Sequence, residues 1–412
     1  MADAPELHAD PSTATAGQAF SGWERRELSQ VAHIRYGLGQ PPQESPSGLP
    51  IIRATNVKRG EISHQGLVFV DPADIPTSRD PFLKTGDILV VRSGAYTGDV
   101  ALVTEEWEGA VAGYDLVVTP SNKVDASFLA YALLSGPVQA YFKSSRGRSA
   151  QPHLNANELS RTIVPVPPIS EQREIARVLS VVRKAEQVTR GVIGSTNEVR
   201  KSLIESLLAG DSGSKWPVVK LGQVCHRPQY GLTATASLTS TGPKFLRITD
   251  IQGGQVRWND VPTCEISAEE LDGHRLSPGD ILVARIGATT GKAFLVQNCP
   301  DAVFGSYLIR IKAKPAILPD FLAAFTESRR YWDQIDRQKG GRLKQGINIP
   351  VLESLELPLP PMEEQQQFAT AIRALFRRLV SERGRLGALE ALYQTLLHDL
   401  LSGRTRLHAR EG

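Results

Sequence analysis

The stretch "GDILVARIGATTG", residues 279–291, has a twin in "GDILVVRSGAYTG", residues 86–98; ten of thirteen positions are identical, at a displacement of 193. The same displacement carries Trp23 to Trp216, Asn155 to Asn348, Pro165 to Pro358, Gln172 to Gln365 and Gly210 to Gly403. "IIRATNV" at 51 and "FLRITDI" at 245 are offset by 194, a one-residue insertion. Nearly everything from 23 to 403 is therefore written twice. The period is too long for a solenoid repeat of about 20–50 residues, so each copy is domain-sized with a core of its own.

Continued to "ARIGATTGKAFLV", residues 284–296, the second copy has the look of a phosphate-binding loop. Such a loop needs four residues between its glycines and a Ser or Thr after the Lys, so that a hydroxyl reaches Mg²⁺ while backbone N–H groups wrap the phosphates. Here three residues separate Gly287 from Gly291, Ala293 follows Lys292, and the first copy has Asp99 in the place of Lys292. The shared Gly287, Thr290 and Gly291 read instead as a tight turn joining two strands and presenting Arg285, as the first copy presents Arg92. Lys292 becomes a candidate for what makes the two copies differ.

The chain of 412 residues is 41% hydrophobic and 22% charged with a formal net charge of +3, an ordinary globular composition in which only local clusters of charge carry information. No apolar run reaches the roughly 18 residues of a membrane span. The opening "MADAPELHADPSTATAGQAFSG" has neither a basic nor an apolar signal region and reads as a disordered tail. Cys225, Cys264 and Cys299 lack any C-x-x-C or Cys/His spacing, so three buried thiols in a reducing cytoplasm are expected, with no metal site. Nor is there a [DN]-P-P-[YF] tetrapeptide, a G-x-G-x-x-G after a strand, an H-E-x-x-H or a G-x-S-x-G. No catalytic residue is assigned.

Within each copy the character changes once. Short β-branched runs such as "LPIIRA", "DILVVR" and "YDLVVT", broken by Gly, Pro, Asn and Asp, read as strands and turns with one short helix at "ASFLAYALLS" or "PDFLAAFTES". After "VPVPPI" and "LPLPPM" the pattern turns helical, starting near Ser170 and Glu363, with acidic residues in the first turn and Gly210 and Gly403 as closing glycines. Phe368, Ile372, Leu375, Leu379, Leu386, Leu389, Tyr393, Leu396 and Leu400 form a heptad seam with Glu382 in its one gap. Ile175, Leu179, Val182, Ile193, Leu203 and Leu207 follow the same register, interrupted by Glu186, Thr189, Thr196 and Arg200. Two such helices, each about 60 Å long at 1.5 Å per residue, form one intramolecular coiled coil in this reading, rather than packing only on their own domains.

Each head closes with a basic loop free of acidic residues: "KSSRGRSAQP" at 143–152, with Arg146, Arg148 and Gln151, and "RQKGGRLKQG" at 337–346, with Lys339, Arg342, Lys344 and Gln345. A lone charged loop is usually solvated surface, but recurrence at the same place in both copies favours nucleic acid. The glycine hairpins add Arg92, Tyr96 and Thr97 in the first head and Arg285, Thr289, Thr290 and Lys292 in the second. Basic residues would supply salt-dependent affinity, while Gln, Tyr and Thr suit contacts to bases.

The order head, "PPISEQREIARVL" helix, head, "PPMEEQQQFATAI" helix resembles the DNA specificity subunit of type I restriction–modification systems. The resemblance covers residues 23–403 and rests on motifs repeated in fixed order: "GDILV-x-R-x-G-A", "LNANEL" with "INIPVL", and Pro-Pro followed by Glu-Gln. It implies an α+β chain with two tandem, mixed, β-rich target recognition domains separated by two long helices, the helices pairing antiparallel as a pseudo-twofold coiled coil. The boundaries expected are a disordered tail at 1–22, a first recognition domain at 23–168, a helical spacer at 169–210, a second domain at 211–360, a second spacer at 361–403 and a C-terminal tail at 404–412. The resemblance further implies double-stranded DNA as ligand, one half of an asymmetric bipartite site per head. Its partners would be two methyltransferase subunits carrying S-adenosylmethionine and restriction subunits using ATP and Mg²⁺, while this chain binds no cofactor and catalyses nothing. The alternative is a duplicated adaptor that spaces two protein partners without touching DNA.

Overall fold

The structure, a computed structural model, describes residues 22–58, 60–76, 80–146, 153–208, 216–237, 241–339 and 346–407. The chain separates into two units, one of 1–188 with 386–412 and one of 189–385. Among the described residues, no helix is long and apolar enough to cross a membrane.

The first unit is organised by four antiparallel strands, β1 (Ala32–Tyr36), β2 (Ile88–Val90), β3 (Val100–Leu102) and β4 (Leu116–Pro120), in the order β1-β4-β2-β3. The run "ILVV" shows no apolar–polar alternation because both faces of its strand are covered. Ile88 and Val90 face a core that holds Phe128, Leu133 and Phe142, whereas Leu89 and Val91 face a second one with Ile52, Ala101 and Trp107. Asp87, at the head of the strand, is buried; it accepts from Arg35 at 2.8 Å, from Thr119 at 2.6 Å and from the Lys84 N–H at 3.0 Å.

Where the sequence suggested one short helix there are two, Ala126–Leu134 and α1 (Gly136–Arg146). Ser135 is extended and Pro137 follows it, so the first helix stops and a second starts with Pro in its opening turn. The helix α1 also takes in Lys143 to Arg146, so the first four residues of the expected basic loop are helical. After Pro167 and Pro168 comes α2 (Ile169–Leu208), 40 residues long.

The second unit repeats the arrangement with β5 (Gln229–Tyr230), β6 (Ile281–Ala284), β7 (Ala293–Leu295) and β8 (Leu308–Ile311) in the order β5-β8-β6-β7. Ile281 and Val283 join Phe321 and Tyr331, while Leu282 joins Val296 and Phe304. One substitution is bold: Arg310 stands where the first copy has the buried Val117, and it is only 6% exposed. It is held by Asp280 at 3.6 Å and donates to the carbonyls of Arg275 at 2.8 Å and Gly273 at 2.9 Å, so the buried charge is paired and bonded. Again two helices follow, Pro319–Phe325 and α3 (Arg329–Lys339), the latter reaching into the second expected loop, and then α4 (Met362–Leu401), also of 40 residues.

Each unit takes half of each long helix, and the halves meet in the antiparallel sense. In the first, Ile175, Leu179 and Val182 of α2 share a core with Tyr393, Leu397, Leu400 and Leu401 of α4. In the second, Ile204 and Leu208 of α2 share one with Phe368 and Ile372 of α4. The heptad reading holds for Phe368, Ile372, Leu379, Tyr393 and Leu400, but Leu375, Leu386, Leu389 and Leu396 are only half-buried. Towards the end of α2 the buried positions are Ile204 and Leu208 rather than Leu203 and Leu207, because the helix there turns a second stripe to the core of the second head. Three of the four polar interruptions are themselves buried, Glu186, Thr189 and Thr196 being at or below 5% exposure, while Arg200 and the seam residue Ile193 are half-buried. Glu186 accepts from Arg183 at 2.9 Å, and that guanidinium lies 4.9 Å from the Tyr393 ring, a polar lock on the register of the pair in the first unit.

The Gln of the Pro-Pro/Glu-Gln motif explains why each helix leaves its head where it does. Gln172 is fully buried; its side chain accepts from the Asp125 N–H at 2.8 Å and donates to the carbonyls of Pro167 at 2.8 Å and Lys123 at 3.4 Å. Gln365 repeats every bond, with the Leu318 N–H at 2.8 Å and the carbonyls of Pro360 at 2.9 Å and Ala316 at 3.1 Å. At the far end of α4, Gly403 has φ of 73° and closes the helix as read from the sequence, whereas Gly210 lies outside the described residues. Beyond it Arg406 makes a two-pronged pair with Glu171 at 2.7 and 2.9 Å, and Glu171 also accepts from Trp23 Nε1 at 3.1 Å.

Truncating Gln172 to Ala strands one N–H and two carbonyls in the interior. The expected loss is about 1–3 kcal/mol of stability, read as a lower denaturant midpoint, with Gln365→Ala equivalent in the second unit. An unchanged midpoint in both would show the amides to be dispensable.

Candidate nucleic-acid interface

The glycine hairpins are built as the sequence implied. In the first unit Val90 pairs with Val100 and in the second Val283 with Ala293, so "RSGAYTGD" and "RIGATTGK" are the turns of antiparallel hairpins. Gly94 and Gly98 both have φ of 84°, and Gly287 and Gly291 have 85° and 92°, left-handed values that side-chain-bearing residues avoid. Thr97 and Thr290 are buried, and each donates its hydroxyl to the carbonyl of the turn's first glycine, Gly94 or Gly287, at 2.7 Å. These two threonines therefore hold the turn instead of facing a ligand, which corrects the expectation of base contact. Tyr96 is exposed at the first tip, and Thr289, its counterpart, is half-buried.

Arg92 and Arg285, at the strand ends before the turns, anchor the same constellation twice. The Arg92 guanidinium lies 4.8 Å from the Tyr36 ring and 4.2 Å from the Tyr114 ring, and Arg285 lies 4.6 Å from Tyr230. The backbone N–H of Arg285 donates to the Tyr307 carbonyl at 3.0 Å, which places the counterpart of Tyr114 beside it. Tyr114 and Tyr307 are 48% and 57% exposed; in the first unit this offers solvent an aromatic face backed by a fixed positive charge, and in the second an exposed tyrosine stands at the same place in the chain. None of the four tyrosines was singled out in the sequence, although their recurrence was available: Tyr36 and Tyr230 are offset by 194 and Tyr114 and Tyr307 by 193.

The basic segments return to these arginines. Residue His153 bridges to Ser93, and the Leu154 N–H donates to the Arg92 carbonyl at 2.7 Å. In the second unit Gly346 bridges to Ile286, and the Ile347 N–H donates to the Arg285 carbonyl at 2.8 Å. The downstream end of each segment is thus stitched to the strand that carries the arginine, and Asn155 and Asn348 then cap the next short helix. Arg146 and Lys339 are the last residues of α1 and α3, while Arg148, Gln151, Arg342, Lys344 and Gln345 lie outside the described residues. Lys292 is not part of this grouping. It is exposed and lines a cleft of about 410 Å³ with Trp332, Asp320 and Arg373, and Arg285 is not among the residues that line it.

The two constellations differ in their polar additions. Arg92 donates to His153 Nε2 at 3.1 Å, which puts the imidazole proton on Nδ1, and its backbone N–H donates to Asp115 at 3.3 Å. The second unit has Gly346 and Leu308 at these places. Burial pushes the Asp115 carboxyl up to about 6, against the opposing pull of the Arg92 N–H and charge, and its second oxygen has no partner. Elsewhere, among the described residues, no group of His, Cys, Asp and Glu could hold a metal ion. Cys225 and Cys264 are buried as expected, but Cys299 is half-buried.

A family profile described as the type I restriction modification DNA specificity domain matches residues 21–193 and again 213–391. The Methanocaldococcus jannaschii chain named as the type I restriction enzyme MjaX specificity subunit is 24% identical over 95% of both chains. The type I restriction enzyme EcoKI specificity subunit of Escherichia coli K12 is 21% identical over 88% of this chain and 84% of its own. In fold, the chain matches the crystal structure of a type I restriction–modification S subunit from M. genitalium with a TM-score of 0.64 and 14% identity, over 92% of this chain and 96% of that one.

The raised Asp115 makes a signed prediction. A carboxyl whose folded value lies above its unfolded one costs stability when ionised, so this penalty is complete above about pH 6 and fades as pH falls towards about 4. Asp115→Asn is expected to raise the melting temperature at about pH 8 and to have little effect near about pH 4. Equal shifts at both pH values would contradict the assignment.

Proposed function

Because the chain belongs to the type I restriction modification DNA specificity family, we propose that each unit reads one half of an asymmetric bipartite duplex site through its Arg–Tyr cluster and the basic segment stitched beside it. The observation that carries this reading is the double occurrence of that cluster at the same strand end, on a shared scaffold, with different neighbours. Arg92 and Arg285 sit where a phosphate or a guanine edge is the natural acceptor, and the exposed tyrosines give apolar and hydrogen-bonding contact to the groove. His153 and Asp115 in one unit, against Gly346 and Leu308 in the other, supply a chemical reason for the half-sites to differ. The chain aims a reaction carried out by others.

Methyltransferase subunits with S-adenosylmethionine, and restriction subunits with ATP and Mg²⁺, would be the partners. The long helices offer them apolar side chains in solvent: Val181, Val188 and Val199 of α2, and Val380 and Leu392 of α4, are 39–58% exposed. Positions 181, 188 and 199, spaced by 7 and 11 residues, fall on one helix face.

The test is selection of targets from a random duplex library by the full chain with its methyltransferase partner. Exchanging residues 23–165 for the first head of another family member is expected to change one half of the selected sequence and leave the other. A change in both halves, or no preference at all in the parent, overturns the proposal. Arg285→Ala should weaken duplex binding by about 1–3 kcal/mol and relax the preference only in the second half-site.

A further inference from the structure

The cleft in the first unit that holds the end of α4 has no role in the reading above. It measures about 750 Å³ and is lined by β-strand residue Arg25, by Arg161 and by Arg404, with Val138, Leu397 and Leu401 as apolar floor. All three arginines are exposed, no side chain of the three has a hydrogen bond or ion pair among the described residues, and no carboxylate is among the lining residues. Thr162, 1% exposed, also lines the wall, and its hydroxyl has no partner. A buried hydroxyl left unbonded costs about 1–3 kcal/mol, so an acceptor is wanted there.

The duplication shows which chemistry fits. In the second unit, Glu205 near the end of α2 accepts from the backbone N–H of Arg329, the first residue of α3, at 2.8 Å. A carboxylate of the chain itself thus occupies the start of that helix, where unpaired N–H groups favour an anion. The matching residues of the first unit, 193 positions away, are His398 and Gly136, the first residue of α1. No carboxylate is supplied, and the surroundings change in the same sense: Arg25, Arg161, Thr162 and Ile163 replace Val218, Ser354, Leu355 and Glu356. The place filled from within in one copy is left open and basic in the other.

We infer that this cleft docks an acidic peptide segment of a partner protein, one per chain, with carboxylates on Arg25, Arg161 and Arg404 and an apolar side chain on the Val138–Leu397–Leu401 floor. A nucleic-acid backbone carries the charge but has nothing to set on that floor, and a peptide has both. The inference does not depend on how the units read DNA, and its test is independent of DNA binding.

The experiment measures fluorescence anisotropy of a short fluorescein-labelled Glu/Leu peptide with the full chain, beside a Lys/Leu peptide of equal length. Saturable, salt-sensitive binding of the acidic peptide alone is expected, with one bound per chain. Reversing two charges, Arg161→Glu with Arg404→Glu, should weaken it by at least about tenfold, and Thr162→Val should weaken it less. His398→Glu places a carboxylate where Glu205 stands in the second unit and should also exclude the peptide, which gives a second test should the double variant fold poorly. Absence of binding, equal binding of the Lys/Leu peptide, or unchanged affinity in a folded His398→Glu or double variant overturns the inference. So does displacement of the peptide by an unrelated duplex, which would assign the cleft to phosphates.

Discussion

Two buried glutamines hold this molecule to its plan. Gln172 and Gln365 each tie the first turn of a long helix to three backbone groups of the adjoining head, and no water is needed to complete the set. A side-chain amide whose donors and acceptor are all engaged is far more directional than apolar packing, which tolerates sliding. The departure of each helix from its head is fixed by geometry that would fail with Glu, Leu or Lys at that position. The Pro pair upstream contributes by presenting a carbonyl that no helix has claimed.

On this common frame the two units have diverged in chemistry while keeping shape. The clearest exchanges are Val117 for Arg310 in a buried strand, His153 for Gly346 beside the stacked arginine, and His398 for Glu205 at the end of a long helix. Each alters charge or hydrogen bonding at a spot whose backbone is set by residues that did not change. Where the exchange introduced a buried charge, as with Arg310, partners came with it: Gln229 stands where the first copy has Arg35, and it accepts from the Arg310 guanidinium. Asp115 is the exception, a carboxyl left with one oxygen unbonded in the wall of the first unit.

Much of this was legible in the sequence because duplication turns a single chain into its own comparison. The repeat located both long helices to within about two residues and marked the strands of the "ILVV" type and the glycine turns, since apolar runs and Pro pairs act locally, whereas edge strands such as Ala32–Tyr36 carry no such run. The short second helix is hidden in the first head because an extended serine before Gly-Pro resembles a loop in composition, and in the second because the polar run from Thr326 to Arg330 carries no apolar period at the junction. The seam was followed correctly only while the helices faced each other; near Ile204 the head competes for the same helix, and a heptad rule has no term for a second neighbour. Thr97 and Thr290 looked like ligand contacts because a hydroxyl in a glycine turn reads the same whether it faces out or closes the turn. The tyrosines escape a sequence reading because their neighbours along the chain are not the arginines: Tyr36 lies 56 residues from Arg92, and Tyr114 sits in the turn before another strand. Only the fold makes them neighbours.

The stitch at His153 and Gly346 bears on how such a protein acquires new behaviour. Six residues, 147–152 in one copy and 340–345 in the other, lie between a helix end and that stitch, and both anchors are made by residues outside the six. The two anchors of each segment are fixed by the helix and by the bond to the arginine's carbonyl, and doubling the length of chain between two such points costs only about 0.6 kcal/mol in chain entropy. A change of length between these anchors therefore carries a small entropic cost. The same pair of anchors occurs in both copies, so the length of one segment can change while the other copy keeps its own.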